Sequence, residues 1–326
     1  MRKQGYRAVL KKIVAPAIAF CAITTLAIGV PAQSDGSQQN KTGRGGTFAI
    51  TNARVFTVSG EVIDNGTVII QNGRIAAVGA SVPIPSGAEK IDAKGLSVYP
   101  GMIDADTNVG LAEIGQGANA TMDVQEVGNV NSNAKAFLAV NPHSSHINVT
   151  RVNGITSVMS VPRGGLISGQ GTVINLNGST QAEMSVEPMA GLVINFPRVA
   201  AFGGFGGGGG GFGGRQNFDF SEAVRRRDTQ IDELKKIFQD AVNYGRAHDA
   251  YAKDKTLSFP ATDLNLEALV PYVRGEKPIF FTAERERDIR SAVKFIADMK
   301  VKGVIIGGQE AWMVADDLKK NNVSVI

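Results

Sequence analysis

The C-terminal part of the chain alternates short apolar stretches with longer amphipathic ones, and this alternation limits the folds that it can adopt. Apolar, β-branched runs at residues 278–282, 304–306 and 323–326 predict strands, and the segments 288–299 and 310–320 between them predict helices. Strands separated by helices form parallel sheets, because a strand returns in the same direction only through a crossover connection. The pattern therefore predicts an α/β fold with a parallel sheet.

Further helices and a strand are expected before this region. Apolar residues recur at helical spacing between residues 220 and 251, which predicts one long amphipathic helix or a pair of helices. Residues 264–273 predict another helix, with Asp263 as its N-cap and Gly275 after its end. A short β-branched run from Ile155 to Val161 predicts a strand.

Residues 47–99 have a different texture and predict a small β unit. Asn72-Gly73 lies between two β-branched runs, and this pair favours a tight hairpin because both central positions of the turn need a positive φ. Two more short strands are expected at residues 90–93 and 96–99.

The N-terminus predicts an export signal. Basic residues crowd the first twelve positions, residues 13–30 are apolar, and small residues allow cleavage after Ala32. We expect residues 1–32 to be removed, residues 33–46 to form a flexible linker, and the mature protein to be periplasmic or secreted without a stable membrane span. Two alternatives are a transmembrane anchor, since about 20 apolar residues span a bilayer, and a lipid anchor on Cys21.

Cleavage of this signal would leave a nearly neutral chain. The signal holds five of the 34 Lys and Arg residues and none of the 30 Asp and Glu residues, so 29 basic residues would remain. This balance gives no reason to expect nucleic acid as a partner. Cys21 is the only cysteine, so the mature protein would have no disulfide, cysteine nucleophile or thiolate metal ligand.

Residues 202–214 form a glycine-rich insertion with ten glycines. Such a composition buries too little surface to offset its backbone entropy, so we expect a surface insertion without a packed core. A phosphate-binding loop would need a strand directly before it and a helix directly after it. Pro197 and the run of consecutive glycines argue against that geometry.

The segment from Ala49 to Asn108 contains, in order, NARV, NGTVIIQNGRIAAVG and PGMID. This order of motifs resembles the amidohydrolase superfamily, and in particular its imidazolonepropionase-like metal-dependent hydrolases. A looser similarity follows in PIFFTAERERDIRSAVKFIADMKVKGVIIGG. The resemblance implies that residues 47–99 belong to a small β-sandwich and that residues 100–326 form a TIM-like (β/α) barrel.

The metal-binding histidines of that family are not found at the matching positions. Asp106 and Asn108 stand where the resemblance places a pair of histidines after the first barrel strand. Residues 281–283 and 306–308 stand at two further histidine positions. Side chains two residues apart on a strand share one side, so Asp106 and Asn108 are the candidate metal ligands, and their oxygen atoms favour Mg²⁺, Ca²⁺ or Mn²⁺ over Zn²⁺. A site without any metal is the alternative.

The predicted strands between residues 96 and 326 number five or six, whereas barrels of this kind have eight. We therefore expect an incomplete barrel. The family's aspartate on the last barrel strand and the returning strands of the sandwich would then lie beyond Ile326, in the continuation of a longer enzyme.

Other residues offer weaker sites. His143 and His146 form H-x-x-H and would need Asp104 or Asp106 as a third ligand. We expect His248 on a solvated helix surface. Residues 164–171 follow a predicted strand and would shape a pocket, but no histidine lies near Ser168 to make it a nucleophile. The charged runs 225–227 and 284–287 are expected to be solvated helix faces.

The resemblance implies an exported hydrolase that cleaves C–N bonds other than peptide bonds in a small, for example cyclic, amide. A divalent ion (Zn²⁺, Mn²⁺ or Mg²⁺) would activate the attacking water. The alternative is a binding or scaffolding protein that kept the fold and lost the metal. In either case the expected partner is a small molecule, and the sequence predicts no oligomeric state.

Overall fold

The structure is a computed structural model that describes residues 45–114, 121–199 and 219–326. The predicted signal segment, most of the linker and the glycine-rich insertion lie outside these residues, so the predictions for them stay predictions. In the described part of the chain, no helix is both long and apolar enough to cross a membrane.

The first sheet contains five strands and includes the predicted hairpin. Its strands are β1 (Thr47–Phe56), β2 (Val62–Gln71), β3 (Arg74–Gly79), β4 (Glu89–Asp92) and β5 (Ser97–Val98). The order is β3-β2-β1-β4, and β5 also pairs with β1. Asn72 and Gly73 have φ values of 51° and 71°, as the predicted turn requires. The structure gives one sheet in this region, so the sandwich stays a prediction.

The second sheet is curled into half of a barrel. It contains β6 (Met102–Thr107), β7 (Ile155–Ser160), β8 (Ile167–Asn175), β9 (Ser185–Asn195), β10 (Ile279–Ala283), β11 (Gly303–Gly307) and β12 (Ser324–Val325). The seven strands lie beside each other in the order of the sequence, with β6 and β12 at the two edges. A closed barrel stays a prediction.

The direction of β8 corrects the expectation of a parallel sheet. β8 pairs antiparallel with both β7 and β9, whereas β6 with β7 and β9 through β12 are parallel. The reason is the length of the connections, because a parallel return needs a crossover of a dozen or more residues. Only residues 161–166 join β7 to β8, so the chain turns back directly.

Seven helices accompany the sheets in the described residues. They are α1 (Ala136–Ala139), α2 (Ser145–Val152), α3 (Gln181–Met184), α4 (Phe220–Lys253), α5 (Leu264–Val273), α6 (Glu286–Met299) and α7 (Ala315–Lys320). A 3₁₀ turn, Ala311–Val314, precedes α7. The predicted cap of α5 is confirmed, because the Asp263 side chain accepts hydrogen bonds from the backbone N–H groups of Asn265 and Leu266.

The two faces of the second sheet carry different clusters. On the outer face α4, α5 and α6 pack on the strands, and Phe196, Phe238, Phe281 and Phe295 meet edge to face with ring centroids 5.3–6.0 Å apart. Each such buried ring contributes roughly 1.5–3 kcal/mol. The opposite face, called the inner face below, carries a smaller cluster that includes Met159, Val193, Phe280 and Ile306.

Candidate active site

The parallel strands of the second sheet have their carboxyl ends on the same side of the sheet, and several polar side chains lie there. We call this row of strand ends the carboxyl edge. β/α folds place their sites at this end, because loops from several strands meet there above a rigid sheet. The polar residues at or just after the strand ends are Asp106, Asn108, Arg163, Asn195, Thr282 and Glu284.

Asp106, one of the two predicted metal ligands, forms an ion pair. Its Oδ1 atom lies 2.7 Å from a terminal guanidinium nitrogen of Arg163, which follows β7. About a third of each side chain is exposed (27% for Asp106 and 35% for Arg163), so water partly screens the pair. The positive charge beside this carboxylate therefore comes from the chain itself.

The second predicted ligand, Asn108, lies just beyond the end of β6 and is exposed. The neighbouring Asp104 uses its Oδ1 atom to accept a hydrogen bond of 3.2 Å from the backbone N–H of Asp106. Among the described residues, no three His, Cys, Asp or Glu side chains converge as metal ligands would. In this arrangement the side chains do not fit a divalent metal ion. Metal binding by Asp106 and Asn108 would require the pair with Arg163 to open, and it stays a prediction.

The two histidines of the H-x-x-H motif, His143 and His146, lie around the start of α2. Ser144 caps α2 by accepting a hydrogen bond from the backbone N–H of His146. The Nε2 atom of His146 lies 2.8 Å from the carbonyl oxygen of Glu113, whereas His143 is exposed in the preceding turn. The motif therefore joins the start of α2 to the chain that follows β6, and the described residues supply no third ligand for it.

Glu284 is a site residue that sequence reasoning missed. The run 284–287 was expected on a solvated helix face, but Glu284 directly follows β10 and α6 begins only at Glu286. Phe280, Thr282 and Glu284 alternate along the strand, so they point to the same side, which is the inner face that Phe280 helps to form. This two-residue period, continued past Thr282, was the signal available in the sequence.

The carboxyl group of Glu284 lies against Gly307, at the end of the neighbouring strand β11. A β-carbon built on Gly307 would be 2.4 Å from Oε1 and 2.8 Å from Oε2 of Glu284, and Gly307 also has a φ of 94°. A larger residue here would have to displace the carboxylate, which is the end of a flexible side chain, and its backbone would be strained at this positive φ. The resemblance placed a metal-binding histidine within residues 306–308. In this segment Gly307 instead leaves room for the Glu284 side chain, which follows the adjacent strand β10.

The other predicted residues hold the loop between β7 and β8. Ser168 is completely buried in β8 and accepts a hydrogen bond of 3.1 Å from the side-chain amide of Asn195. The same amide donates to the carbonyl oxygen of Gly165 at 2.8 Å. Gly165 has a φ of 64°, and a β-carbon there would be 2.9 Å from the carbonyl oxygen of Gly128. Residues 164–166 are therefore a fixed wall at the carboxyl edge.

A buried polar network anchors β8 below this loop. Gln170 donates to the carbonyl oxygen of Ser132 at 2.9 Å and accepts a hydrogen bond of 3.0 Å from the hydroxyl of Tyr272. Burial, followed by the nearby charge of Glu187, raises the pKa of the Tyr272 hydroxyl far above its ordinary value. Tyr272 therefore keeps its proton at neutral pH and donates it to Gln170.

His248 lies away from the carboxyl edge, and its predicted setting is wrong. It was expected in solvent, but its ring packs against Tyr244 at a centroid distance of 4.2 Å with a tilt of 36°, and it meets Phe259 edge to face at 5.5 Å. Helical spacing places Tyr244 next to it, and the chain after α4 returns to cover the ring. The position is a half-buried aromatic contact.

Similarity to known proteins gives the family of this chain. No family model matches the chain, and no curated protein matches it. Among solved structures, an amidohydrolase from Thermotoga maritima is 26% identical and has a TM-score of 0.71 over 86% of this chain and 69% of its own. The chain belongs to the amidohydrolase superfamily. This agrees with the motifs NARV and PGMID of the N-terminal part.

Two other solved structures resemble this amidohydrolase-superfamily chain more distantly. A prolidase complexed with N-methylphosphonate-L-proline is 16% identical, with a TM-score of 0.43 over 86% of this chain and 65% of its own. An N-acetylglucosamine-6-phosphate deacetylase from Pasteurella multocida is 13% identical, with a TM-score of 0.25 over 86% of this chain and 50% of its own. At these values the two structures support no conclusion about the chemistry of this chain.

Proposed function

We propose that this chain is a hydrolase that cleaves C–N bonds other than peptide bonds in small amides, cyclic amides among them. The observation that carries the proposal is the similarity to the amidohydrolase from Thermotoga maritima, with a TM-score of 0.71 over 86% of this chain. The polar residues of the carboxyl edge provide the expected place for such chemistry, because the same end of the sheet carries the sites of β/α barrels.

The proposed reaction adds water to the amide carbonyl and then breaks the C–N bond. Within this proposal Glu284 is the general base, since a carboxylate at the inner face can take a proton from the attacking water. The proton then passes to the leaving nitrogen, so the products are a carboxylic acid and an amine. Arg163 would supply positive charge to stabilise the negative charge that develops on the carbonyl oxygen.

A specific observation favours a second candidate, a binding protein that has lost catalysis. Asp106 is held by Arg163 at 2.7 Å, and this pair uses the carboxylate that a metal-dependent mechanism would need. The same inner face would then bind a small molecule without cleaving it. Nucleic acid is not proposed as a partner of either candidate, because the mature chain would be nearly neutral.

Metal content separates the two candidates in part. Residues 33–326 are purified without chelators, and bound metal is measured by mass spectrometry before and after incubation with Zn²⁺, Mn²⁺ and Mg²⁺. The arrangement of Asp106 predicts less than one bound ion per chain. Stoichiometric metal that is lost in Asp106→Ala but kept in Asp123→Ala would show that the pair with Arg163 opens, and it would restore the metal-dependent mechanism.

We also propose export to the periplasm or the medium, on the evidence of the basic and apolar segments before Ala32. Expression of the full chain in a Gram-negative host should give a processed protein whose first residue is Gln33, as determined by intact mass. An unprocessed chain in the cytoplasm would contradict this proposal, and a processed chain held in the membrane would point to a lipid anchor.

A further inference from the structure

Two buried polar atoms at the carboxyl edge have no hydrogen-bond partner among the described residues. They are the hydroxyl oxygen of Thr282 and Oε2 of Glu284, and each is shielded from solvent. A buried polar group without a partner costs about 1–3 kcal/mol, so folded proteins seldom keep one without a use. These two atoms belong to residues two apart on one strand, and they face the same side.

Hydrogen bonds hold the backbone at Glu284 in place. The carboxylate of Glu284 lies beside the α-carbon of Gly307. The backbone carbonyl oxygen of Glu284 accepts a hydrogen bond of 3.0 Å from the N–H of Glu310. Gly308 donates in turn to the carbonyl oxygen of Ala283 at 2.9 Å. The end of β10 is thus fixed to the loop after β11, and the two free atoms are pre-positioned for a ligand.

We propose that Thr282 and Glu284 form a recognition site for the amide group of a small ligand. The hydroxyl of Thr282 donates a hydrogen bond to the amide oxygen, and Oε2 of Glu284 accepts one from the amide N–H. An amide whose N–H and C=O point to the same side, as in a lactam ring, matches a donor and an acceptor that come from one face of the same strand, two residues apart.

Other ligand classes fit these two atoms less well. A phosphate or carboxylate would meet the like charge of Glu284, which opposes binding. A divalent metal would need more ligands than one carboxylate and one hydroxyl, and the described residues offer no group of three. A simple ammonium ion would satisfy Glu284 but would have no acceptor for the hydroxyl hydrogen of Thr282.

This inference rests on the proposed function, because it names the part of the same site that recognises the substrate. It can nevertheless be tested by binding alone. The probes are three five-membered rings of similar size, namely 2-pyrrolidinone with N–H and C=O, N-methyl-2-pyrrolidinone without the N–H, and pyrrolidinium with a charged N–H group and no carbonyl. Binding to residues 33–326 is measured by ligand-observed NMR.

We expect 2-pyrrolidinone to bind with a Kd on the order of 1 mM, since so small a ligand has few atoms with which to gain affinity. The N-methyl ring and the pyrrolidinium ion should each bind about tenfold more weakly or worse, which is the usual effect of one lost hydrogen bond in a buried site. Equal binding of the N-methyl ring, or tighter binding of pyrrolidinium, would overturn the proposal, as would no detectable binding of 2-pyrrolidinone.

Two variants of similar size test the residues themselves. Thr282→Val should weaken binding of 2-pyrrolidinone by about tenfold, and so should Glu284→Met, which keeps the length of the side chain but has no oxygen to accept the amide N–H. Their urea unfolding midpoints should stay equal to that of the wild-type protein or rise, because the hydroxyl of Thr282 and Oε2 of Glu284 have no hydrogen-bond partner among the described residues. Thr67→Val in the first sheet and Glu267→Met on α5 are the controls and should bind normally. Normal binding by the Thr282 and Glu284 variants would contradict the inference.

The outcomes of this experiment are distinct from failure of the proposed function. Binding that depends on Thr282 and Glu284, without any turnover, leaves the inference intact and favours the binding protein. Amide hydrolysis whose kcat/KM does not change in Thr282→Val leaves the hydrolase intact and removes the inference.

Discussion

At the scale of single residues, the carboxyl edge depends on which neighbours each side chain meets. Asp106 meets Arg163, from the loop after the next strand, and is neutralised by it. The carboxylate of Glu284 lies beside the backbone of Gly307, and its buried Oε2 has no hydrogen-bond partner among the described residues. Two acids at the same edge therefore have different roles, since one is held in an ion pair and the other is open to a ligand.

Gly307→Ala tests whether Gly307 makes room for Glu284. The added methyl group would collide with the carboxylate, and the positive φ would be strained, so we expect the free energy of unfolding to fall by about 2–4 kcal/mol. Gly275→Ala is the matched control, because Gly275 also has a positive φ (68°) but its nearest neighbour to an added β-carbon is 3.8 Å away. It should lose only about 1–2 kcal/mol. Equal losses in urea unfolding would show that the carboxylate does not pack on Gly307.

At the scale of elements, a hydrogen bond links the N-terminus of α6 to the loop after β11. Oε2 of Glu310 accepts a hydrogen bond of 2.8 Å from the backbone N–H of Glu286, which satisfies one of the free N–H groups at the helix N-terminus. Asp288, in the first turn, is only 5% exposed, and its Oδ1 has no hydrogen-bond partner among the described residues. The nearest ion pair to this atom is with Arg287, at 3.7 Å.

Asp288 predicts a pH dependence of stability. Burial raises the pKa of this carboxyl group, while Arg287, Arg227 and Arg285 act in the opposite direction. Because the pKa in the folded protein is above its value in the unfolded chain, the folded state binds the proton more tightly. The stabilising contribution of the protonated group is complete below the ordinary value of 3.8 and is lost as the pH rises through the raised pKa.

The variant Asp288→Asn should remove this dependence. Relative to wild type, its free energy of unfolding should increase as the pH rises from the ordinary value of 3.8 through the raised pKa of Asp288. Asp298→Asn is the control on the same helix, since Asp298 is partly exposed and pairs with Lys294 at 3.0 Å. That variant should lose a few tenths of a kcal/mol near neutral pH, in the opposite direction. A constant difference between Asp288→Asn and wild type would show that Asp288 titrates normally in the fold.

The elements of the fold were largely predictable from the sequence, but their directions and contacts were less so. The hairpin at Asn72-Gly73 and the cap of α5 by Asp263 were predicted correctly, because turns and caps are set by adjacent residues. Strands β8 and β9 were not predicted, and residues 167–171 of β8 were expected to shape a pocket after a strand. Glu284 was missed because the charged run 284–287 was interpreted as a helix face, whereas Glu284 directly follows β10.

The contact between Asp106 and Arg163 could not be predicted either. The two residues are 57 positions apart, and only the pairing of β6 with β7 brings them together. Sequence reasoning selected Asp106 through the resemblance to the family. It had no means of seeing that an arginine of the chain lies where a metal ligand would be needed.

At the scale of the whole molecule, a curled sheet with helices on its outer face presents an inner face and a polar edge. The residues of this edge come from separate stretches of the chain, around residues 106–108, 163–168, 195, 282–284 and 307. A rigid sheet can hold such distant residues within reach of one small ligand, which is how barrel enzymes build their sites. Superfamily membership and the open acceptors of the edge together support an amide hydrolase.

The measurement that tests this account most directly is turnover of amides by the mature chain. The protein from residue 33 onward, with any continuation of the chain beyond Ile326, is incubated with a panel of lactams and open-chain amides, with and without added Zn²⁺, Mn²⁺ or Mg²⁺, and the released amine is quantified. The account predicts hydrolysis of at least one lactam and a loss of about 100-fold or more in kcat/KM in Glu284→Gln, as expected when a general base is removed. No release above buffer under any of these conditions, from a protein that is folded and binds 2-pyrrolidinone, would contradict the hydrolase and leave a binding protein.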